Sequence, residues 1–270
     1  MKLAFTTLAC PDWSLDQVIT AAQNNNYAGL EFRMLDGELL TSQIDAATRN
    51  DVRTRCSNAG LKIVCVDTSI RIATRHPEEL SAQLREGNAF LEIAASWDAP
   101  FIRVFGGESN GLTAAESTEI AVECLTLMAQ RGRELGVTVL LETHDAFCRS
   151  AAVMAVLNRV PDAGAIWDTL HPFRFGERPV ETASCLGERC CHVHIKDGRR
   201  GNGDVWDLTL LGEGEVPISE ILSTLQDIHY DGWLSVEWEK KWHPEIAAPE
   251  IALPQHAQQL AQYLGMNRKS

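Results

Sequence analysis

The sequence predicts an α/β fold of one architecture, a single (β/α)8 TIM barrel spanning residues 1–270, and three observations carry that prediction. Short apolar runs alternate with longer amphipathic ones along all 270 residues, as strands and helices do when each strand is followed by a crossover helix. Eight such pairs fill the chain, which suits a closed barrel better than an open sheet. No G-x-G-x-x-G follows the first strand, so a dinucleotide-binding open sheet lacks its signature. No linker, low-complexity tract or change of composition marks a second domain.

Lys2–Thr7 reads as the first strand, and Asp12 and Ser14 offer caps for a helix to about Asn24. Tyr27–Phe32 is a second strand, followed by a helix from about Thr48 to Ala59 that Gly60 closes. Leu61–Asp67 is the third strand, and Pro77 opens a long helix to about Trp97. Pro100–Phe105 is the fourth, with its helix from about Thr113 to Leu135 and Gly136 behind it. Val137–Glu142 and Ser150–Val160 form the fifth pair, Ala165–Asp168 and Pro179–Leu186 the sixth. Cys191–Lys196 precedes a helix from Ile218 to about His229. Trp233–Trp238 precedes the last helix, within Pro249–Leu264.

A formal charge of −13 opposes nucleic acid as a partner, because phosphate binding draws on Lys and Arg and no basic run is present. No stretch approaches the roughly 20 apolar residues of a membrane span. The eight cysteines show no C-x-x-C pair, and they read as buried, reduced residues of a cytoplasmic protein. Met1-Lys2 with LAFTTLAC is short for a secretion signal and runs straight into a helix start, so it reads as strand.

A parallel barrel presents its reactive groups at the carboxyl ends of its strands. Strand five ends in Glu142, strand six in Asp168 and strand eight in Glu237, while strand seven carries His192, His194 and Lys196. Alternation places Cys191, Val193 and Ile195 toward the helices and those three polar groups inward. The same count turns Glu142 and Glu237 into the barrel. Three carboxylates and an imidazole repel or strand one another in a partly dry pocket unless a cation compensates them. Such a donor set suits Mn²⁺, and also Co²⁺, Fe²⁺, Zn²⁺ or Mg²⁺. Separate salt bridges and loop caps are the alternative reading of each residue taken alone.

These motifs resemble the xylose isomerase-like TIM barrel superfamily, in its sugar phosphate isomerase/epimerase branch. The resemblance rests on Glu142, the D-x-x-H of Asp168 and His171, the His-x-Lys-Asp of His194, Lys196 and Asp197, and Glu237. The opening FTTLACPDWSLDQVI, the strand-two GLEFR and the LGEGEVP loop at Leu211–Pro217 also look like that branch. It implies Glu142, Asp168, His194 and Glu237 as metal ligands, and Glu142 and Glu237 as the acid/base pair. It further implies His171 and Arg200 as substrate contacts, with Arg199 as the alternative to Arg200, and Lys196 beside the reacting oxygens. His144 is a candidate for a substrate hydroxyl or for proton transfer, and Trp13 for packing on sugar C–H groups.

The activity implied is metal-dependent isomerisation or epimerisation of a small sugar or ketose, phosphorylated or oxidised forms included, through an enediolate. A lyase or dehydratase of the same family, acting on a keto-polyol or keto-glycoside, uses the same residues. A sugar-binding barrel without catalysis is a further reading, and family relatives imply a homo-oligomer. Abasic-site nucleases need extra histidines after strands three and four, where this chain has Asp67-Thr68 and Phe105-Gly106-Gly107. Ketose epimerases of the family carry another glutamate where this chain has Cys148, so the substrate contacts on that side differ. Arg103 and Arg174 could read an anionic group, Glu31 and Asp67 are expected in ion pairs, and His192 is expected to support His194 from behind.

Overall fold

Capping at the helix starts sets the phase of the chain. Ser14 accepts from Gln17 N while the Gln17 side chain accepts from Ser14 N, and Thr113 and Glu116 repeat this reciprocal box. Asp45 accepts from Thr48 N at 2.7 Å, which starts the second helix two residues ahead of the expected Thr48. Gly136, at φ 72°, ends the fourth in the left-handed conformation that glycine adopts without penalty.

The computed structural model describes residues 1–203 and 205–265. Eight barrel strands alternate with helices: β1 (Lys2–Thr6), α1 (Leu15–Asn24), β2 (Gly29–Phe32), α2 (Ala46–Asn58), β3 (Lys62–Arg71), α3 (Pro77–Ser96), β4 (Phe101–Phe105) and α4 (Ala114–Leu135). The second half continues with β5 (Thr138–Glu142), α5 (Ser150–Leu157), β6 (Gly164–Asp168), α6 (Leu170–Arg174), α7 (Pro179–Leu186), β7 (Cys190–Ile195), α8 (Ile218–Asp227), β8 (Trp233–Val236) and α9 (Pro249–Tyr263). Every strand pairs in parallel with its sequence neighbours, and β8 pairs with β1 to close the barrel. The predicted fold is the observed one.

Three local features depart from the expectation. Strand β3 runs on to Arg71, past the expected end at Asp67, with a register shift against β4 between those residues. Two short hairpins decorate the barrel, Met34–Leu35 with Glu38–Leu39 and Asp197–Arg200 with Trp206–Thr209. Cys191 does not face the helices. A register shift pairs Ala165 with Cys190 and then Ile166 with His192. This extra residue leaves Cys191 against the interior plug of Ala4, Val64, Cys65, Leu140 and Ile166. Gly164 accommodates it, since a Cβ there would lie 2.5 Å from the Cys191 sulfur.

That plug fills the amino-terminal end of the barrel. Two residues farther along β5 and β6 the same inward face carries Glu142 after Leu140 and Asp168 after Ile166. A dry floor therefore supports a polar layer. Among the described residues no helix is long and apolar enough to cross a membrane.

Candidate metal centre

Glu142, Asp168, His194 and Glu237 come from four adjacent strands or their ends, and each offers a ligand atom within 4.8 Å of the others. All four are buried, from 0% exposure to 5% for Glu237. His194 Nδ1 lies 3.0 Å from Glu142 Oε1 and 3.4 Å from Glu237 Oε2. Its Nε2 lies 2.9 Å from Glu31 Oε1, and the other Glu31 oxygen lies 3.0 Å from His192 Nε2. Glu31 thus clamps two edge-to-face imidazoles from behind and turns the Nδ1 edge of His194 toward the carboxylates. Asp168 divides its oxygens. Oδ1 accepts from Leu170 N and His171 N at 2.8 and 3.0 Å, starting α6, while Oδ2 faces the cluster.

Two cations hold this layer together. Arg103 donates to Glu142 Oε2 at 2.8 Å, its Nε is 3.7 Å from Asp67 Oδ1, and its Cζ sits 3.9 Å over the Phe105 ring. Lys196 Nζ lies 2.9 Å from Asp168 Oδ2 and 2.6 Å from Glu237 Oε2, and it also pairs with Glu239. The contacts to Asp168 Oδ2 and Glu237 Oε2 lack hydrogen-bond geometry, so these two buried oxygens have no hydrogen-bond partner. Glu239 was not anticipated; its place two residues past Glu237 is the one sequence signal for it. Arg103 serves as an internal counter-ion here and is 3% exposed, so it does not meet an external anion.

Electrostatics follow from burial against these partners. Burial raises Glu142, but Arg103 and His194 overcome it and hold the carboxyl at about 2. Glu237 is pulled well below the ordinary range against burial by Lys196 and His194. Asp168 goes the other way, to about 6, because burial and then the Glu237 and Glu142 charges outweigh Lys196. His194 is driven well above its ordinary value, burial notwithstanding, by Glu31, Glu237 and Glu142. An imidazolium thereby supplies part of the positive charge that this layer needs.

The donor set fits a divalent cation. Three carboxylates and one imidazole nitrogen converge, two carboxylate oxygens lack hydrogen bonds, and the far nitrogen of His194 is fixed by a carboxylate. Binding requires Asp168 ionised and the Nδ1 proton of His194 gone. Both pKa values are raised, so affinity rises with pH through about 6 and continues to rise above neutrality. We expect a gain of about tenfold per pH unit for each proton released. Mn²⁺ titrations from pH 5 to 8, with proton release read calorimetrically in two buffers, check this. A flat profile contradicts it.

The other candidates fall at different distances from this centre. His171 Nε2 is 3.8 Å from Asp168 Oδ2, and both its ring nitrogens are buried without hydrogen-bond partners. Burial first, then Lys196, His144 and Arg174, keep its pKa well below the ordinary value, so it is neutral. His144 packs between the Phe105 and His171 rings, tilted to the first and edge-on to the second at 4.6 and 4.3 Å, with Nδ1 2.7 Å from Asp145 Oδ1. Asp145 adopts φ 49° to make that contact. Arg200 is exposed on its hairpin, with its guanidinium 5.7 Å from the Trp206 ring. Trp13 is half-buried in the segment between β1 and α1 and packs against the hydrophobic core. Asp197 organises the Leu211–Pro217 loop, accepting from Gly198, Gly212, Gly214 and Val216 N–H groups. A Cβ at Gly214 would lie 2.1 Å from Asp197 Oδ1, which explains that glycine.

The family described as Xylose isomerase-like TIM barrel matches residues 19–263. The chain belongs to that family. A Streptomyces coelicolor protein provisionally named hydroxypyruvate isomerase is 26% identical over 148 residues, half of each chain. An inosose dehydratase of Lacticaseibacillus casei is 26% identical over 136 residues, 43% of this chain and 45% of that one. The chain's matches span about half the length of these curated relatives. Among solved structures, the IOLI protein with a bound zinc atom superposes over 100% of both chains with a TM-score of 0.84 at 15% identity. At that identity the likeness shows the fold.

Removal of Arg103 tests the charge balance of this layer directly. Arg103→Met leaves Glu142 and Asp67 buried with one cation fewer. We expect a loss of about 3–5 kcal/mol, read by urea unfolding. A loss below about 1 kcal/mol would contradict the pairing described above.

Proposed function

We propose that the chain is a divalent-metal-dependent isomerase or epimerase of a small sugar or ketose, with Glu142 and Glu237 as its acid/base pair. The observation that carries this reading is the convergence of Glu142, Asp168, His194 and Glu237 at the strand ends of a barrel in this family. Those four residues would hold the ion, which when bound supplies Lewis-acid polarisation of a substrate carbonyl. Mn²⁺ is our first choice, with Co²⁺, Mg²⁺, Fe²⁺ and Zn²⁺ compatible with the donors.

The protein's own groups then divide the work. Glu237 Oε2 has no hydrogen-bond partner and is the freer base for a proton on the carbon beside the carbonyl. Glu142 is anchored through Oε2 by Arg103, which leaves Oε1 for return of a proton from the facing side. Lys196 Nζ, already between Asp168 and Glu237, is the donor for a substrate oxygen entering this layer. Neutral His171 orients a hydroxyl. Arg200 and Trp13, from their rim positions, are assigned no part in proton transfer.

A second reading, a dehydratase or lyase on a keto-polyol, draws support from His144. Its pKa is raised against burial by Asp145 and Glu142, so it can carry a proton to a departing hydroxyl. A substrate panel separates the two. Mn²⁺-loaded protein is incubated in D₂O with D-tagatose, D-psicose, hydroxypyruvate and a keto-inositol. Deuterium exchange with a new isomer supports the first reading, and absorbance from a new enone supports the second. Neither event with any substrate overturns both.

A further inference from the structure

We propose that the mouth of this barrel carries an oxyanion-reading subsite built from Arg174 and Arg149, so that the substrate is an acid: a small polyol or keto-polyol bearing a carboxylate or a phosphate. The inference rests on the metal-centred reading above and names the substrate class of that same site.

The first observation is a missing partner. The Arg174 Nε is buried without a hydrogen-bond acceptor, and no carboxylate among the described residues pairs with Arg174 or Arg149. A guanidinium donor removed from water without an acceptor is costly. The chain has 37 acidic against 24 basic side chains, so carboxylates are in excess. On the outer helices that excess is used: Arg55, Arg131 and Arg159 each hold an ion pair. Deeper in the barrel, Arg103 and Lys196 are committed to internal carboxylates. Glu177, an acid on the Arg174 loop, accepts instead from Ser150 N and Thr182 Oγ1.

The second observation is placement. Arg174 ends α6, three residues after His171, and residues at that spacing share one helix face about 5 Å apart. His171 is itself in contact range of Asp168. A molecule gripped at the carboxylate cluster therefore reaches Arg174 within the length of a small sugar. The charge of Arg174 is felt both at His171 and at Cys148, which places it between α6 and the loop after β5. Cys148, on which both Arg174 and Arg149 act electrostatically, offers them no carboxylate.

The third observation is rigidity. The exposed Phe175 ring lies 5.2 Å from the Arg174 guanidinium and 5.8 Å from that of Arg149. Contact with the same aromatic ring restrains both planar forks at reduced entropic cost. A guanidinium edge without a carboxylate partner matches the two oxygens of a carboxylate, or those of a phosphate.

Ring-matched probes test this on the Mn²⁺-loaded protein: quinate, myo-inositol 1-phosphate and myo-inositol, titrated calorimetrically. We expect at least one anionic ring to bind about tenfold or more tighter than the neutral ring. The tighter of the two anions then tells carboxylate from phosphate. Arg174→Gln should collapse that preference to within about twofold while leaving Mn²⁺ content unchanged, and Arg174→Lys should restore part of it. Equal or tighter binding of myo-inositol overturns the subsite, as does equal weakening of all three rings in Arg174→Gln, or binding of none. Failure of the metal reading shows separately, as no bound Mn²⁺ by elemental analysis. Anion binding that then persists and still depends on Arg174 supports the subsite alone.

Discussion

His194→Gln is expected to lower Mn²⁺ affinity by about 10³-fold or more, measured by competition with a chromophoric chelator. Glutamine can still donate to Glu31, but it presents no nitrogen lone pair to the carboxylates. The variant thus loses a ligand while keeping a hydrogen bond behind it. Glu31→Gln provides the scale, because it leaves the imidazole in place and removes the charge and one of the two acceptor oxygens behind the histidines. A carboxylate behind a metal-binding histidine contributes about 10–100-fold in affinity. Glu31 and His194 are both fully buried and in contact at 2.9 Å, so the His194 variant also removes the buried cation that faces Glu31. We expect it to unfold earlier in urea as well, by about 3–5 kcal/mol. Retention of Mn²⁺ within tenfold of the parent protein would exclude His194 as a ligand.

The fold was legible because two periods are written into the chain, apolar strands and amphipathic helices, with caps at Ser14, Thr113 and Gly136 where the structure places them. The four convergent polar residues were legible for a related reason. Alternation along β5 and β8 turns Glu142 and Glu237 inward, and a barrel interior otherwise rejects charge. What escaped were features set by geometry between strands. The bulge that turns Cys191 inward depends on pairing with β6, which a count along one strand does not contain. Glu31 and Arg103 were visible as polar strand residues, but their partners come from β7 and β5, far off in sequence. The Asp197 tether is similar: its motif is readable, yet the four N–H groups that it gathers are up to 19 residues away.

Glu237→Gln and Glu142→Gln are each expected to cut turnover of a substrate found in the panel by about 10²–10⁴-fold, the usual contribution of a positioned acid or base. The two losses should differ in kind. With Glu237 as the base and Glu142 returning the proton from the facing side, Glu237→Gln stops deuterium exchange from one epimer. Glu142→Gln permits that first exchange and stops formation of the other. In the reverse direction the roles swap. Both substitutions also remove an anionic ligand, so Mn²⁺ must be raised until elemental analysis shows equal occupancy before rates are compared. Lys196→Met provides the internal contrast. It removes the ammonium from between Asp168 and Glu237 without deleting a base, and should lower kcat while leaving the face of exchange unchanged. If the two glutamine variants lose exchange identically from both epimers at equal metal content, one carboxylate serves both faces, and the assignment of a pair fails.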